Sequence, residues 1–180
     1  MSEVSSREEF LDKVEKSASK CEREVHGCGR CALSALMEHF DLGDQAGKEL
    51  ALMGILPMSG GIAQTRNTCG ALLGGLMGIG MVSFPAGLDQ SNMDEIRRSM
   101  QIGARYYRKF EEEIGHSRCF DIRAVGLGRC YDTGDPDEYR KFVEAGAYDF
   151  CAGVCGKAAR LAAEFMLDIQ EEHKKARASS

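Results

Sequence analysis

Basic charge is in short supply in this chain: 23 Lys and Arg stand against 28 Asp and Glu, for a formal net charge of −5. Neutralising nucleic-acid phosphates takes clustered Lys and Arg, so nucleic acid is excluded as a partner. Strand signals are also scarce, and neither an internal repeat nor a linker divides the sequence. No phosphate-loop lysine follows a glycine run, and Gly126-Leu127-Gly128 lacks the strand and helix of a dinucleotide fingerprint. No Ser, His and Asp arrangement points to a hydrolytic triad, and Asp132-Thr133-Gly134-Asp135-Pro136-Asp137 reads as a turn and helix cap rather than a calcium loop. The uncharged stretch from 67 to 88 approaches the length of a membrane span, but six of its residues are glycines and Pro85 interrupts its end. A buried helix, with no membrane span, is the expectation. The polar opening Met1-Ser2-Glu3-Val4-Ser5-Ser6-Arg7-Glu8-Glu9 does not look like an export signal, so a cytoplasmic location is expected.

What is abundant is cysteine, eight in 180 residues. A chain of this length buries roughly two-thirds of its unfolded surface without staples, so stability does not call for these thiols. In a reducing compartment, clustered thiols read as metal ligands or redox groups rather than structural disulfides.

Helical periodicity dominates. Ser6 with Glu9 predicts a capping box for a helix to about Val25, with Phe10, Leu11, Val14 and Ala18 on one face. A second helix carries Cys31, Leu33, Leu36 and Phe40 and ends near Gly43; a third runs from about Asp44 to Leu56, before Pro57 and the Ser59-Gly60-Gly61 turn. Asn67 or Thr68 is the expected cap of a glycine-rich helix through Met81, with Cys69 in its first turn. Asn92 and Glu95 open a long helix to Ile114, residues 115 to 135 read as an irregular connection, and Asp135-Pro136 opens a short helix to about Ala145. A last helix runs from about Asp149 to Glu172. The expected architecture is an all-α, single-domain helical bundle with a glycine-rich central helix, divided into an N-terminal helix (1–26), a domain carrying seven of the eight cysteines (27–172) and a disordered tail (173–180). Pairing of its exposed apolar side into a homodimer is a further expectation.

Cys28 and Cys31 are spaced i, i+3, and Cys151 and Cys155 i, i+4, so each pair shares a helix face. Two such pairs suit a tetrathiolate site for zinc or iron. They also suit metal-free thiol and disulfide exchange, with Cys28-Gly29-Arg30-Cys31 resembling a thioredoxin-like motif that lacks its preceding strand. Cys69 at a helix N-terminus is placed where free amides and the dipole stabilise a thiolate or an anionic cluster. Gly70 and Gly74 leave room for a bulky group beside the backbone. Arg30, Arg118 and Arg129 directly precede cysteines, and positive charge there lowers a thiol pKa. Cys21 reads as a bystander, Cys130 sits in a loop able to approach the site, and His116 reads as an exposed loop residue.

These landmarks resemble a known family, the redox-active proteins named for a C_GCAxxG_C_C cysteine pattern with a CGAxxG core. The matching residues are Cys31-Ala32, Gly60-Gly61, Thr68-Cys69-Gly70-Ala71-Leu72-Leu73-Gly74, Phe110 through Cys119, and Val154-Cys155-Gly156-Lys157 followed by Ala162-Ala163-Glu164. The resemblance assigns the four pattern cysteines to Cys31, Cys69, Cys119 and Cys155 as metal ligands; the room left by Gly70 and Gly74 and the charge of Arg118 place those three residues, as an expectation, beside the cofactor. That family in turn resembles the non-haem part of split-Soret cytochromes c, where four cysteines are taken to hold an iron–sulfur cluster. It implies a 2Fe–2S or 4Fe–4S cluster and electron transfer with a redox partner protein, more than an enzyme with its own substrate. The alternatives are a metal-free thiol and disulfide oxidoreductase and a zinc-stabilised interaction module. The chain has no CxxCH, so covalent haem is not implied, and it adds Cys21, Cys28, Cys130 and Cys151 to the pattern.

Overall fold

The computed structural model describes residues 3–84, 89 and 91–178, with side chains from Ser6 onward. Among the described residues, eight α-helices and one 3-10 turn follow in chain order: α1 (Glu3–Glu24), α2 (Cys28–His39), α3 (Gln45–Ile55), the 3-10 turn (Leu56–Met58), α4 (Gly70–Ser83), α5 (Met93–Ile114), α6 (Cys119–Leu127), α7 (Pro136–Glu144) and α8 (Ala147–Ala178). Among the described residues there is no strand, and the all-α expectation matches the fold. Strand-like pairing is confined, among those residues, to an isolated antiparallel bridge between Thr68 and Arg118.

Helix α8 is the axis. Ala152, Cys155, Ala159, Ala162, Ala163 and Met166 are buried along it at helical spacing. Small side chains let two helices come close from opposite sides. α1 lies on one flank through Leu11, Val14 and Ala18, all within 1% exposure. The Ser19 hydroxyl donates to the Ala152 carbonyl at 3.0 Å, and Arg160 of α8 reaches Asp12 at 2.6 Å and also pairs with Glu8. Such surface ion pairs contribute about 0–1 kcal/mol each, so burial of the apolar faces, at roughly 25 cal/mol per Å², holds α1 in place. Its buried residues share one core with α2, α3, α4, α5, α6 and α8, while Phe142 of α7 packs in a smaller cluster with Tyr131 and Ala147.

α4 occupies the other flank, wedged against α2. Gly70, Gly74 and Gly78 form a stripe at i, i+4, i+8 that meets Gly29, Ala32, Leu33 and Leu36 of α2. A Cβ on Gly74 would collide with the Gly29 carbonyl and the Ala32 methyl, and one on Gly78 would press on Leu36. The next helix face carries Gly75, whose missing side chain makes room for the buried Tyr106 of α5. The Tyr106 hydroxyl donates to the Ala158 carbonyl at 3.0 Å, tying α5 to α8. The glycines thus exchange helix propensity, about 1 kcal/mol each relative to Ala, for backbone-to-backbone packing. No described helix is long and apolar enough to cross a membrane.

Several boundaries differ from the sequence expectation, each for a local reason. α1 begins at Glu3, ahead of the Ser6 and Glu9 box, and α2 ends at His39. α4 starts later than Asn67 or Thr68 would cap it, because the Thr68–Arg118 bridge keeps residues 67–68 extended and leaves Cys69 as the N-cap. The connection expected to be irregular contains α6, which begins at Cys119 and ends on Gly128 with φ 74°. α8 continues to Ala178, through most of the expected tail. Asp44, Asn92 and Asp135 cap their helices as the sequence indicates, with side chains accepting from Gly47 N, from Glu95 N, and from Asp137 N and Glu138 N. Pro85, expected to close the glycine-rich segment, and Ser179-Ser180 of the tail lie outside the described residues.

Candidate functional site

Three helices begin at cysteines, and the fold gathers their starts at one place. Cys28 is the first residue of α2, behind Gly27 at φ 95°. Cys69 is the N-cap of α4, and Cys119 is the first residue of α6. The last two are clamped by backbone pairing, in which Cys69 N donates to Ser117 O at 2.8 Å, Cys119 N to Asn67 O at 2.7 Å and Phe120 N to Arg66 O at 3.0 Å. Ser117 is itself fixed, donating to Glu111 at 2.7 Å and accepting from the Tyr107 hydroxyl at 2.6 Å. Glycine permits the third approach, because a Cβ on Gly70 would lie 2.6 Å from Cys28 Sγ. The positive ends of three helix dipoles therefore converge where the thiols do, with backbone amides of Ala71 and Leu72 facing Cys69 and those of Gly29 and Gly60 facing Cys28.

α8 supplies two more thiols. Cys155 Sγ donates to the Cys28 carbonyl at 3.4 Å, and Cys151 lies one turn before it. Each of Cys28, Cys69 and Cys119 is within electrostatic reach of the other two. Cys155 is within reach of Cys28, Cys69 and Cys151, and Cys151 of Cys28 and Cys119. Cys28 is thus the common neighbour of the group.

Burial sets the protonation of this cluster. It pushes the Cys69 and Cys155 thiols well above the usual range, Cys119 up to about 11 and Cys151 up to about 12, and raises Cys28 as well. The helix N-terminus was expected to lower the Cys69 pKa. Its Leu72 and Ala71 amides do pull that way, but loss of water outweighs them. The thiols therefore rest protonated, and a metal ligand role requires proton release on binding.

Arg123 of α6 is the cation of the site. It is 7% exposed, its guanidinium lies 4.5 Å over the Phe142 ring, and it opposes the upward shifts of Cys28, Cys119 and Cys151. Glu22 of α1 faces the same region at 4% exposure, and burial raises its pKa to about 7. An acid whose folded pKa exceeds the unfolded 4.5 binds an extra proton in the native state between those values. The contribution of Glu22 to stability is then fully present below pH 4.5 and is lost as pH rises through 7, by roughly 3 kcal/mol in total. Glu22→Gln is expected to flatten that part of the pH profile in chemical denaturation and to raise stability at pH 8. An unchanged profile would show that Glu22 ionises freely.

Of the residues singled out in the sequence, Cys69, Cys119 and Cys155 come together. Cys31 sits one turn into α2, fully buried, with Sγ 3.5 Å from the His26 carbonyl. Cys21 of α1 packs against the same core as Cys31, and the two reduced thiols are within disulfide-forming reach. Gly70 borders Cys28, whereas Gly74 is occupied by contact with α2. Arg118 has a side chain 59% exposed and pairs with Asp121 at 3.5 Å. Cys130 is half-buried near Cys119, and His116 is exposed. Arg123 and Glu22 were missed. An i, i+4 relation between Cys119 and Arg123 was the available signal, hidden because 115–135 read as irregular.

Among the described residues no three His, Cys, Asp or Glu side chains lie close enough to hold a single metal ion. A mononuclear zinc site needs four donors at about 2.0–2.3 Å from one point. The donor set has the chemistry of iron–sulfur ligation: it is sulfur throughout, with Cys69, Cys119 and Cys155 buried and Cys28 and Cys151 half-buried, and is accompanied by helix amides and a cation.

Fold and geometry together describe an all-helical protein that gathers several of its thiols in one place. Residues 26–165 match the model of the family described as "putative redox-active protein (C_GCAxxG_C_C)". The chain belongs to this family of redox-active proteins. No curated protein and no solved structure gives a significant match.

Proposed function

We propose that this protein is an electron-transfer protein that holds an iron–sulfur cluster in the thiol group of Cys28, Cys69, Cys119 and Cys155, with Cys151 beside them. The observation that carries the reading is the convergence of three cysteine-bearing helix N-termini with two α8 thiols around Cys28. Cys28 takes the place in α2 that the family pattern assigns to Cys31, because its sulfur, at Gly70, is the one bordering the other thiols. The bound group would supply one-electron transfer. The chain's own part is to exclude water, to present amides at the starts of α2 and α4, and to offset negative charge through Arg123. Electrons exchange with a partner protein, and the homodimer expectation is carried as part of the same reading.

Protein purified without oxygen is expected to be brown, with visible absorption bleached by dithionite. Colourless protein that takes up neither iron nor sulfide on reconstitution would overturn the proposal. A second reading, metal-free thiol and disulfide exchange, is favoured by one observation, the neighbouring reduced thiols of Cys21 and Cys31. On that reading, the thiol count falls by two on mild oxidation, and Cys21→Ser prevents it.

A further inference from the structure

Beside Cys28, the one cysteine in its lining, lies a half-open cavity of about 360 Å³ bordered also by Glu22, Ser59, Arg123, Tyr139 and Tyr148. Unpaired polar atoms concentrate there. Glu22 Oε2, Ser59 Oγ and both Nε and Nη1 of Arg123 are buried without a hydrogen-bond partner, and all belong to its walls. Arg30 Nε, also unpaired, lies with Ser59 Oγ around Gly27 at the cavity's edge. A buried polar group without a partner costs about 1–3 kcal/mol, and native proteins keep few of them. Several around one cavity mark a place where a ligand completes the bonding.

The wall that carries Ser59 is itself costly to form. Gly60, Gly61, Ile62, Ala63 and Gln64 run consecutively at φ between 50° and 74°. Left-handed conformation costs non-glycine residues about 1–2 kcal/mol each, and such strain collects at functional sites. Gly61 admits no alternative, since a Cβ there would lie 2.7 Å from the Arg66 and Asn67 backbone.

The chemistry of the walls selects the occupant. Unpaired donors outnumber the single unpaired acceptor, so the ligand brings acceptor oxygens and negative charge. The two unpaired Arg123 nitrogens, Nε and Nη1, lie on different edges of the guanidinium, so each offers a separate charge-assisted N–H to a carboxylate oxygen. Phe142, Tyr139 and Tyr148 add apolar surface for a short carbon body, with the two tyrosine hydroxyls bonded to each other at 3.0 Å. Glu22 opposes a second negative charge. We infer that this cavity is a binding site for a small monocarboxylate, held by Arg123 and Ser59 and set next to the Cys28 end of the thiol cluster. The inference goes beyond electron transfer and does not depend on a cluster being bound.

The test uses the full-length chain, reduced and metal-free, with acetate, propionate and lactate as probes against phosphate and chloride at equal ionic strength. Calorimetry is expected to show saturable binding of at least one carboxylate and none of phosphate. Losing a charge-assisted hydrogen bond weakens binding by about tenfold or more, so Arg123→Gln is expected to show that loss, while Glu22→Gln binds at least as tightly as the parent. If Arg123→Gln does not fold, nuclear Overhauser contacts from the probe's methyl to the Tyr139 and Tyr148 rings of the unaltered protein decide the matter. Absence of saturable carboxylate binding, undiminished binding in folded Arg123→Gln, or a probe located away from both tyrosines would overturn the inference. Each result is read without iron, so it is separable from the fate of the electron-transfer proposal.

Discussion

Cys69→Ser protein is expected to fold and to lose its iron. Serine is among the preferred N-cap residues, and position 69 is the N-cap of α4, so the substitution keeps the helix start and adds an acceptor for its first amides. What it removes is a sulfur at the meeting of three helix N-termini. Even altering groups that only support a ligand commonly weakens metal binding 10–100-fold, so losing a ligand itself should cut retained iron and sulfide by about tenfold or more. Circular dichroism should stay that of the parent. Cys130→Ser, at a half-buried loop position, is the control and should retain its iron. Equal retention in both variants would remove Cys69 from the site; unfolding of Cys69→Ser would mean that its thiol serves packing.

The second large effect is expected from two glycines six residues apart on one helix. Gly74→Ala places a methyl against the Gly29 carbonyl and Ala32, both close to rigid backbone, whereas Gly80→Ala meets nothing within 4 Å. Alanine gains about 1 kcal/mol of helix propensity at either site. Overpacking costs about 1–3 kcal/mol, and at position 74 the obstacle is a carbonyl that moves only with the whole of α2. The net is a loss of about 2 kcal/mol for Gly74→Ala and a gain of up to about 1 kcal/mol for Gly80→Ala. For a chain of this size that is a fall of roughly 4–8 °C and a rise of roughly 2–4 °C in melting temperature. Gly74→Ala should also weaken iron retention, since pushing α2 outward carries Cys28 away from Cys69. Equal effects at the two positions would show that the glycine stripe does not set the spacing of α2 and α4.

The helices were legible in the sequence where caps and apolar period agree. Asn92 and Asp135 each announce a helix that is present, because a side-chain acceptor at an N-cap acts locally. Cys119 was placed in an irregular segment because α6 is short and closes on Gly128, and its start is fixed by pairing with residues 66 and 67, distant in sequence. The same long-range bridge moved the start of α4 to Cys69. Spacing made Cys28 and Cys31 equivalent candidates. Only packing separates them, with the first sulfur at Gly70 and the second turned toward His26. The raised thiol pKa values were illegible for a similar reason: the helix terminus is visible in a sequence, but the burial that overrides it is not. Glu22 and Arg123 stand on α1 and α6, about a hundred residues apart, and nothing local marks either as an interior charge.

One measurement bears most directly on the central claim that the converging thiols form a redox centre, namely iron and acid-labile sulfide per chain in protein prepared wholly without oxygen. The account predicts iron and sulfide in comparable amounts, with both reduced together by Cys28→Ser or Cys69→Ser. Protein that carries zinc alone, or no metal with all eight thiols free to react, would contradict it.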